Sequence, residues 1–592
     1  MSRELPTGRR YPPLGIAAVM LLLLLSVLPS ALNLPQSNPS QTLEYAPVPP
    51  DDESTAQQPG NLSSLGLAGS SSLGAAAPGA GGAEGGGTAL AGAGRSPSTK
   101  RCVGNPPRQT EDPLSPPCVA HFSGDNFGST YQGVTRDEIR VLFYVTGGTY
   151  AGNSRGQTQM PPNSYWDLAK PPTEDDPLFV VLLQAYQRHF NERYQTYGRF
   201  VHFFVRFDAG VATATAESRA ADAANDYGLI KPAAVVLYVS EFAANYVEQM
   251  AKRRVIAFLG NGAGGGIVAA TERAETFSRV APLLWGYYPS IEQRARVFVS
   301  YLCTKVVPHP VSFTGNPADA GKPRRLGLLH EGNPSRADRI AFSALVEAGV
   351  EACGGEWVAE GKISDKVGPE NPAQAGNDIA LFVQRGVTTI VRAGANADCC
   401  HARAASGANY YPEWVLAGDG LSDQNLNSQI QDPAQWTHAR AVSLYHLGVP
   451  IEEQPCFVAA RDVDPSLPRI DVKNWACGFY PGIRMLFTGI QVAGPRFGPD
   501  TLDRGYHAIP DVRSTDPRVP SCYYEAGDFT CVKDAVAEWW DPSGEDPGSG
   551  ARGCWRVMEG GRRYTAGTWK PDNVDSQRAP SDPCNFQGVG AT

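Results

Sequence analysis

No cysteine precedes Cys102 in this 592-residue chain, yet 12 cysteines are present. The missing early thiol excludes a lipid-modified cysteine as N-terminal anchor, and the even number beyond it favours disulfides in an oxidising compartment. A surplus of positive charge is also missing. The formal net charge is −9, which argues against a nucleic-acid partner, since such a partner needs a concentrated basic face. Aromatic residues are absent between Tyr45 and Lys100, so that stretch has little apolar surface to bury against its chain entropy. The chain has no H-E-x-x-H zinc helix and no G-K-[ST] phosphate loop. Metalloprotease and P-loop chemistry therefore lack their side chains, and no enzyme activity or cofactor is expected.

What is there divides along the chain. Arg3, Arg9 and Arg10 precede an apolar run from Leu14 to Leu28, the pattern of a basic n-region and a signal h-region. Pro29, Ser30, Ala31 and Leu32 make a poor small-x-small cleavage site, so residues 1–32 read as either a signal peptide or a retained membrane anchor. Residues 33–100, rich in Ala, Gly, Ser and Pro, read as a disordered tether, with a coil reach of roughly 45 Å. Both readings place the remainder outside the cytoplasm, secreted or held at the outer face of the membrane.

From residue 101 strand and helix signals alternate. Strands are expected at Ile139–Val145, Phe200–Phe207, Ala233–Val239 and Val255–Leu259, and helices at Pro177–Tyr197, Ala212–Asp226 and Phe242–Lys252. A helix over Ser290–Val306 leads to strands at Arg325–Leu329, Thr388–Arg392 and Trp414–Ala417, with helices at Arg336–Ala348 and Ala373–Arg385. That order implies parallel strands with helical crossovers, hence an α/β fold with two sheets and a cleft between them. Local cysteine pairs, Cys102 with Cys118, Cys522 with Cys531 and Cys554 with Cys584, are expected to staple loop-rich ends. Adjacent Cys399 and Cys400 are expected not to pair with each other.

Several segments carry a resemblance. GVTRDEIRVLFYV (residues 133–145) is similar to the opening of type 1 periplasmic binding proteins of the branched-chain amino acid, or leucine-binding, ABC transporter class. RVAPLLWGYYPSIEQRARVFVSYL resembles that class's exit from the first lobe, RRLGLLHEGNPSRAD the opening strand and turn of the second, and GVTTIVRAGANAD its later strand and loop. LAGDGLSD and MLFTGIQVAGPRFGPDTLDRGY resemble the last second-lobe strand and the returning helix. The Ala-, Gly- and Arg-rich style is similar to actinobacterial members.

The resemblance implies a two-lobed type 1 periplasmic-binding-protein fold with parallel sheets, a hinge and a Cys-rich C-terminal extension. Lobe 1 would cover about 133–285, lobe 2 about 310–445, the crossover and return about 446–510, and the extension 511–592, within a ligand-binding domain of 101–510. It further implies capture of a small polar molecule, an amino acid or amide, for an ABC permease, with a ligand-sensing receptor as the alternative reading and a secreted enzyme third. In that class first-lobe hydroxyls and N–H groups hold a carboxylate and a second-lobe acid holds an ammonium. The matching positions are Thr146 and Gly147 after the first strand, Ser240, Asn261, Gly394 and Asp419. Ser240 is equally a helix N-cap, and Asn261 and Asp419 are equally turn formers.

The chain departs from the pattern at TGGTYAGNSRGQTQMPPNSYWDLAKPPTEDD, a long polar insertion after the first strand, and at HEGNPSRAD, which lacks an aromatic-glycine turn. Tyr287, Tyr288, Tyr410 and Tyr411 are alternative ring donors, although such pairs more often pack as covers. Gly260 to Gly265 satisfy G-x-G-x-x-G, but not at the first βα turn where a pyrophosphate cradle belongs. Cys399, Cys400 and His401 are too close in sequence for a structural zinc site. Trp539, Trp540, Trp555 and Trp569 are expected to be buried anchors, with exposed carbohydrate contacts as the alternative.

Overall fold

A computed structural model describes residues 102–103, 107–146, 163–173, 176–208, 215–238, 243–260, 273–332, 337–363, 371–394, 400–418, 422–467, 477–510, 516–571 and 578–585. All belong to one unit, Gly86–Thr592. The expected leader, anchor and tether lie outside the described residues, among which no helix is long and apolar enough to cross a membrane.

A two-stranded ribbon, β1 (Cys102–Val103) and β2 (Arg108–Gln109), precedes the first sheet. The core strand β3 (Glu138–Thr146) has the sequence EIRVLFYVT and is almost wholly buried, as befits a strand covered on both faces. It runs parallel to β5 (Phe200–Asp208) on one side and β6 (Ala234–Tyr238) on the other, and β7 (Ile256–Leu259) and β8 (Leu284–Gly286) continue in parallel. The short β4 (Ser164–Asp167) closes the outer edge antiparallel to β5. Apart from β4 the order is second–first–third–fourth–fifth, a doubly wound sheet. Connecting helices are α1 (Leu178–Arg193), α2 (Ala216–Ile230), α3 (Ala243–Lys252) and α4 (Ala274–Val280). Gly133 explains the opening motif: its φ is +67°, and a Cβ there would lie 2.3 Å from the Ala233 amide nitrogen. The chain at 231–233 passes too close for any side chain.

The second sheet repeats that order with β10 (Trp357–Lys362), β9 (Leu326–His330), β11 (Thr389–Ala393), β12 (Glu413–Leu416) and β13 (Ala439–Ser443), all parallel. Its helices include α5 (Ile291–Tyr301), α6 (Ala337–Ala352) and α7 (Pro372–Arg385). The single helix expected over Ser290–Val306 is α-helical only to Tyr301; Leu302–Val306 forms a π turn, and Cys303 within it is tied to Cys353. After β13 the chain returns to the first lobe as α8 (Pro455–Val463), α9 (Cys477–Ala493) and α10 (Pro499–His507). It then crosses a third time to add β14 (Asp534–Glu545), β15 (Arg552–Val557) and β16 (Arg563–Thr565) antiparallel to the free edge at β13.

The C-terminal residues thus extend the second sheet. Trp539, Trp540, Trp555 and Trp569 are all buried, which removes the alternative of exposed carbohydrate contacts. The three expected disulfides form, together with Cys303–Cys353 and Cys456–Cys477. Cys400 is disulfide-bonded, and Cys399 lies outside the described residues.

Candidate functional site

Ligands of doubly wound sheets bind beyond the strands' carboxyl ends, where the strand order reverses. Here those points lie between β3 and β6 in the first lobe and between β9 and β11 in the second. Thr146 is the last residue of β3, buried and in register with Asp208 of β5. Gly394 directly follows β11. The structure therefore puts these two candidates at the two reversal points. Gly147, Ser240, Asn261 and Asp419 lie outside the described residues, although each continues the chain just past the end of β3, β6, β7 or β12.

Gly394 also has a packing duty. Its φ is +121°, and a Cβ would lie 3.0 Å from Ser343 Oγ and 3.3 Å from Glu331 Cβ. Ser343 donates to the Ala393 carbonyl at 2.7 Å and accepts from the Glu331 amide at 3.1 Å. Glu331 thus stands immediately after β9, buried at the second reversal point, with Arg339 Nη1 3.9 Å from its carboxylate. Sequence reasoning missed it. The available signal is an acid directly after an apolar strand, in HEGNPSRAD. Arg294 of α5 secures the neighbouring β12 end, donating to the carbonyls of Ala417 at 3.1 Å and Gly418 at 2.8 Å.

Beneath Thr146 the first lobe carries a buried charged network. Tyr144 donates to Asp222 at 2.5 Å, and Arg219 donates to the Tyr144 hydroxyl at 2.7 Å while pairing with Asp208. Arg206 pairs with Asp226 at 3.1 Å, and Tyr246 donates to the same carboxylate at 2.8 Å. Burial pushes the Asp226 carboxyl up to about 6 despite Arg206. The network fixes α2 and α3 against the strands that end at the reversal point.

A cavity of about 320 Å³ lies where all three interlobe crossings meet, within the usual size of a small-molecule site. Tyr287 and Tyr288 follow β8, Tyr445 follows β13, Arg518 belongs to the third crossing, and Tyr480 and Arg484 come from α9. Arg484 is buried, 3.1 Å from Asp112, with its guanidinium 5.0 Å from the Tyr287 ring centre. Burial acts to lower its pKa, but Asp112 and the surrounding tyrosines hold it above the ordinary value, so it stays charged. The Tyr288 ring stands edge-on to Tyr287 at 4.8 Å and stacks with Tyr445 at 6.0 Å.

The remaining sequence candidates separate cleanly. Tyr410 donates to the Val387 carbonyl at 2.6 Å, and with Tyr411 it precedes β12, at the sheet end opposite the reversal point, so neither supplies a ring there. Gly260 packs against α9, a Cβ on it falling 3.2 Å from Gly482 Cα, which gives this glycine a packing reason; residues 261–265 lie outside the described set. His401 is buried beside Asp378 at 3.2 Å, and no metal-binding cluster occurs among the described residues.

No protein-family model and no curated relative matches the chain. Among solved structures, it is similar to an ABC-transporter solute-binding protein from R. palustris in complex with 4-hydroxybenzoate, at 13% identity and TM-score 0.48 over 73% of this chain and 99% of that one. It is also similar to the leucine-, isoleucine-, valine-, threonine- and alanine-binding protein from Brucella ovis in its closed conformation, at 10% identity and TM-score 0.48 over 75% and 99%. A third is an ABC transporter substrate-binding protein from Desulfitobacterium hafniense in complex with Leu, at 13% identity and TM-score 0.43 over 72% and 100%. The fold assignment rests on the two strand orders and three crossings described above: an α/β chain with two doubly wound lobes.

Proposed function

We propose that this protein is an extracytoplasmic solute-binding protein that captures a small polar ligand, an amino acid or amide, between its lobes and delivers it to an ABC permease. The observation that carries the reading is the pair of doubly wound sheets of one strand order, joined by three chain crossings. Such a pair presents two sets of strand ends to one cleft and lets them close about a hinge. The segments resembling the branched-chain amino acid class support the ligand class, and the leader-like N-terminus and the disulfides support the compartment. In this reading Thr146 and Ser240 supply hydroxyls, Gly147, Asn261 and Gly394 backbone groups, and Asp419 or Glu331 the acid that meets an ammonium. Charge-assisted bonds in a closed cleft gain strength because water is excluded.

The test is a thermal-shift screen of amino acids, amides, short peptides and sugars on the full chain. A ligand at 100 times its dissociation constant adds about 2.7 kcal/mol of stability. A hit recovered chemically intact and weakened by Asp419→Ala or Glu331→Gln supports capture at the reversal points. Turnover of the bound compound, or affinity unchanged in both variants, overturns it.

A further inference from the structure

The crossing cavity has no charge to offer a ligand, because each ionised group on its border already acts on a neighbour. Arg484 lies 3.1 Å from Asp112, with its guanidinium over the Tyr287 ring. Arg518 makes a two-pronged contact to Asp516 at 3.0 and 2.8 Å, and Glu453 acts on the same guanidinium. Glu111 accepts from the Gln109 side-chain amide at 3.4 Å. Gln454 donates to the Val449 carbonyl at 3.4 Å, and Cys456 and Cys477 are joined as a disulfide. A carboxylate or an ammonium entering here would give up its water for a place where the counter-charges are already shared, a net cost in desolvation.

The rest of the wall is apolar. Leu114, Leu447, Val449 and Val519 line it and are only half-buried, and Val458, which also lines it, is 49% exposed. Tyr288 and Tyr445 add stacked rings with centres 6.0 Å apart. Apolar groups that converge on a concavity and stay in contact with water mark a small-molecule site, since a ligand gains their burial. The volume sets the size of that ligand. An apolar protein cavity of about 150 Å³ holds one benzene ring, and this one, at about 320 Å³, has room for two fused rings.

We propose that the crossing cavity binds a neutral aromatic molecule of two fused rings, held by apolar and ring contacts alone. No described residue at either reversal point lines it, so the site is additional to the capture cleft. The first crossing supplies Tyr288, the second Tyr445, Leu447 and Val449, and the third Val519. The bound molecule therefore touches all three crossings and favours the arrangement of them that encloses it best.

The experiment is isothermal titration of the full chain with indole, with indole-3-carboxylate and tryptamine as the anionic and cationic forms of the same ring. Saturable binding of indole is expected, and binding at least about tenfold weaker for both charged analogues. Leu447→Trp, which puts two fused rings of the protein's own into the space, should abolish indole binding. Val458→Asp, which puts a charge on the wall, should weaken it by about tenfold. Both side chains are partly exposed, and far-UV circular dichroism with the ligand-free melting temperature establishes that both variants fold. Either charged analogue binding as tightly as indole, no indole binding at millimolar concentration, or undiminished binding by either folded variant overturns the proposal. The last of these results would place indole elsewhere on the chain, and capture of a polar ligand at the reversal points would stand or fall separately, on the thermal-shift screen.

Discussion

The two lobes share a strand order and differ in where they bury charge. In the first, the Tyr144, Arg206, Arg219 and Asp226 network ties helices to the strands near their carboxyl ends, at the reversal point. In the second, a comparable investment sits at the opposite end. Glu413, the first residue of β12, accepts from the Ser312 and Phe313 amides at 2.8 and 2.7 Å, from Arg324 at 2.7 Å and from Thr389 at 2.7 Å, with Arg440 3.3 Å away. One topology does not dictate where polar atoms go: the first lobe ties helices to the carboxyl ends of its strands, whereas the second locks the amino end of β12 through Glu413 and keeps the buried Glu331 and Arg339 at the carboxyl end.

The opposite protonation behaviour of the two centres gives the strongest way to break the comparison. Burial alone would raise the Glu413 pKa, but Arg440 and Arg324 prevail and hold it down to about 2. Its folded pKa therefore lies below the unfolded value near 4.5, so its stabilisation is fully present above pH 4.5 and is lost as pH falls toward 2. Glu413→Gln should cost about 3–5 kcal/mol at neutral pH by leaving buried guanidiniums uncompensated, measured by urea denaturation. The deficit should shrink as pH falls from about 4.5 toward 2. A loss under about 1 kcal/mol at neutral pH would mean the base of the second lobe is not held this way.

Asp226 should do the reverse. Its folded pKa, about 6, exceeds the ordinary 3.8, so the folded state holds the proton more tightly. Its contribution is greatest below pH 3.8 and is lost as pH rises through 6. Asp226→Asn should therefore compare better with the parent at pH 8 than at pH 4, by on the order of 2 kcal/mol. Denaturation curves at the two pH values decide it, and a pH-independent difference would mean that Asp226 has the same pKa folded and unfolded, removing the contrast between the lobes.

The parallel strands were legible where apolar runs are continuous, as in Ile139–Val145, because burial on both faces leaves a pattern within the strand itself. The short or interrupted strands were not. Leu284–Gly286 has three residues, Trp357–Lys362 is only partly buried, and Ala439–Ser443 carries Arg440; their pairing is settled by neighbours distant in sequence. The role of β14 was hidden for the same reason, since the edge it covers lies almost a hundred residues upstream. At the candidate site, Thr146 and Gly394 follow strands that announce themselves, whereas the crossing cavity is assembled from five separated stretches. Tyr287 and Tyr288 could be picked out as a pair, but Arg484 sits in a helix whose pattern reads as packing alone, and only the fold brings Asp112 to it.

The smallest expected difference concerns matching helix caps. Thr215 and Ser218 form a reciprocal cap at the start of α2 in the first lobe, and Ser290 and Gln293 do so at the start of α5 in the second. The former is a local device, and Ser218→Ala should cost about 0.5–1 kcal/mol. Gln293 does more: its side chain accepts from the Ser290 amide at 2.8 Å and from Thr530 at 2.7 Å, and donates to Asp528 at 2.8 Å. It thereby joins the first interlobe crossing to the third. Gln293→Ala should cost about 1–2 kcal/mol, and a double-mutant cycle with Asp528→Ala should give a coupling of at least about 0.5 kcal/mol. Zero coupling would reduce the second cap to the rank of the first, and the crossings would then be held together by the backbone bridge between Gly286 and Thr530 without help from this side chain.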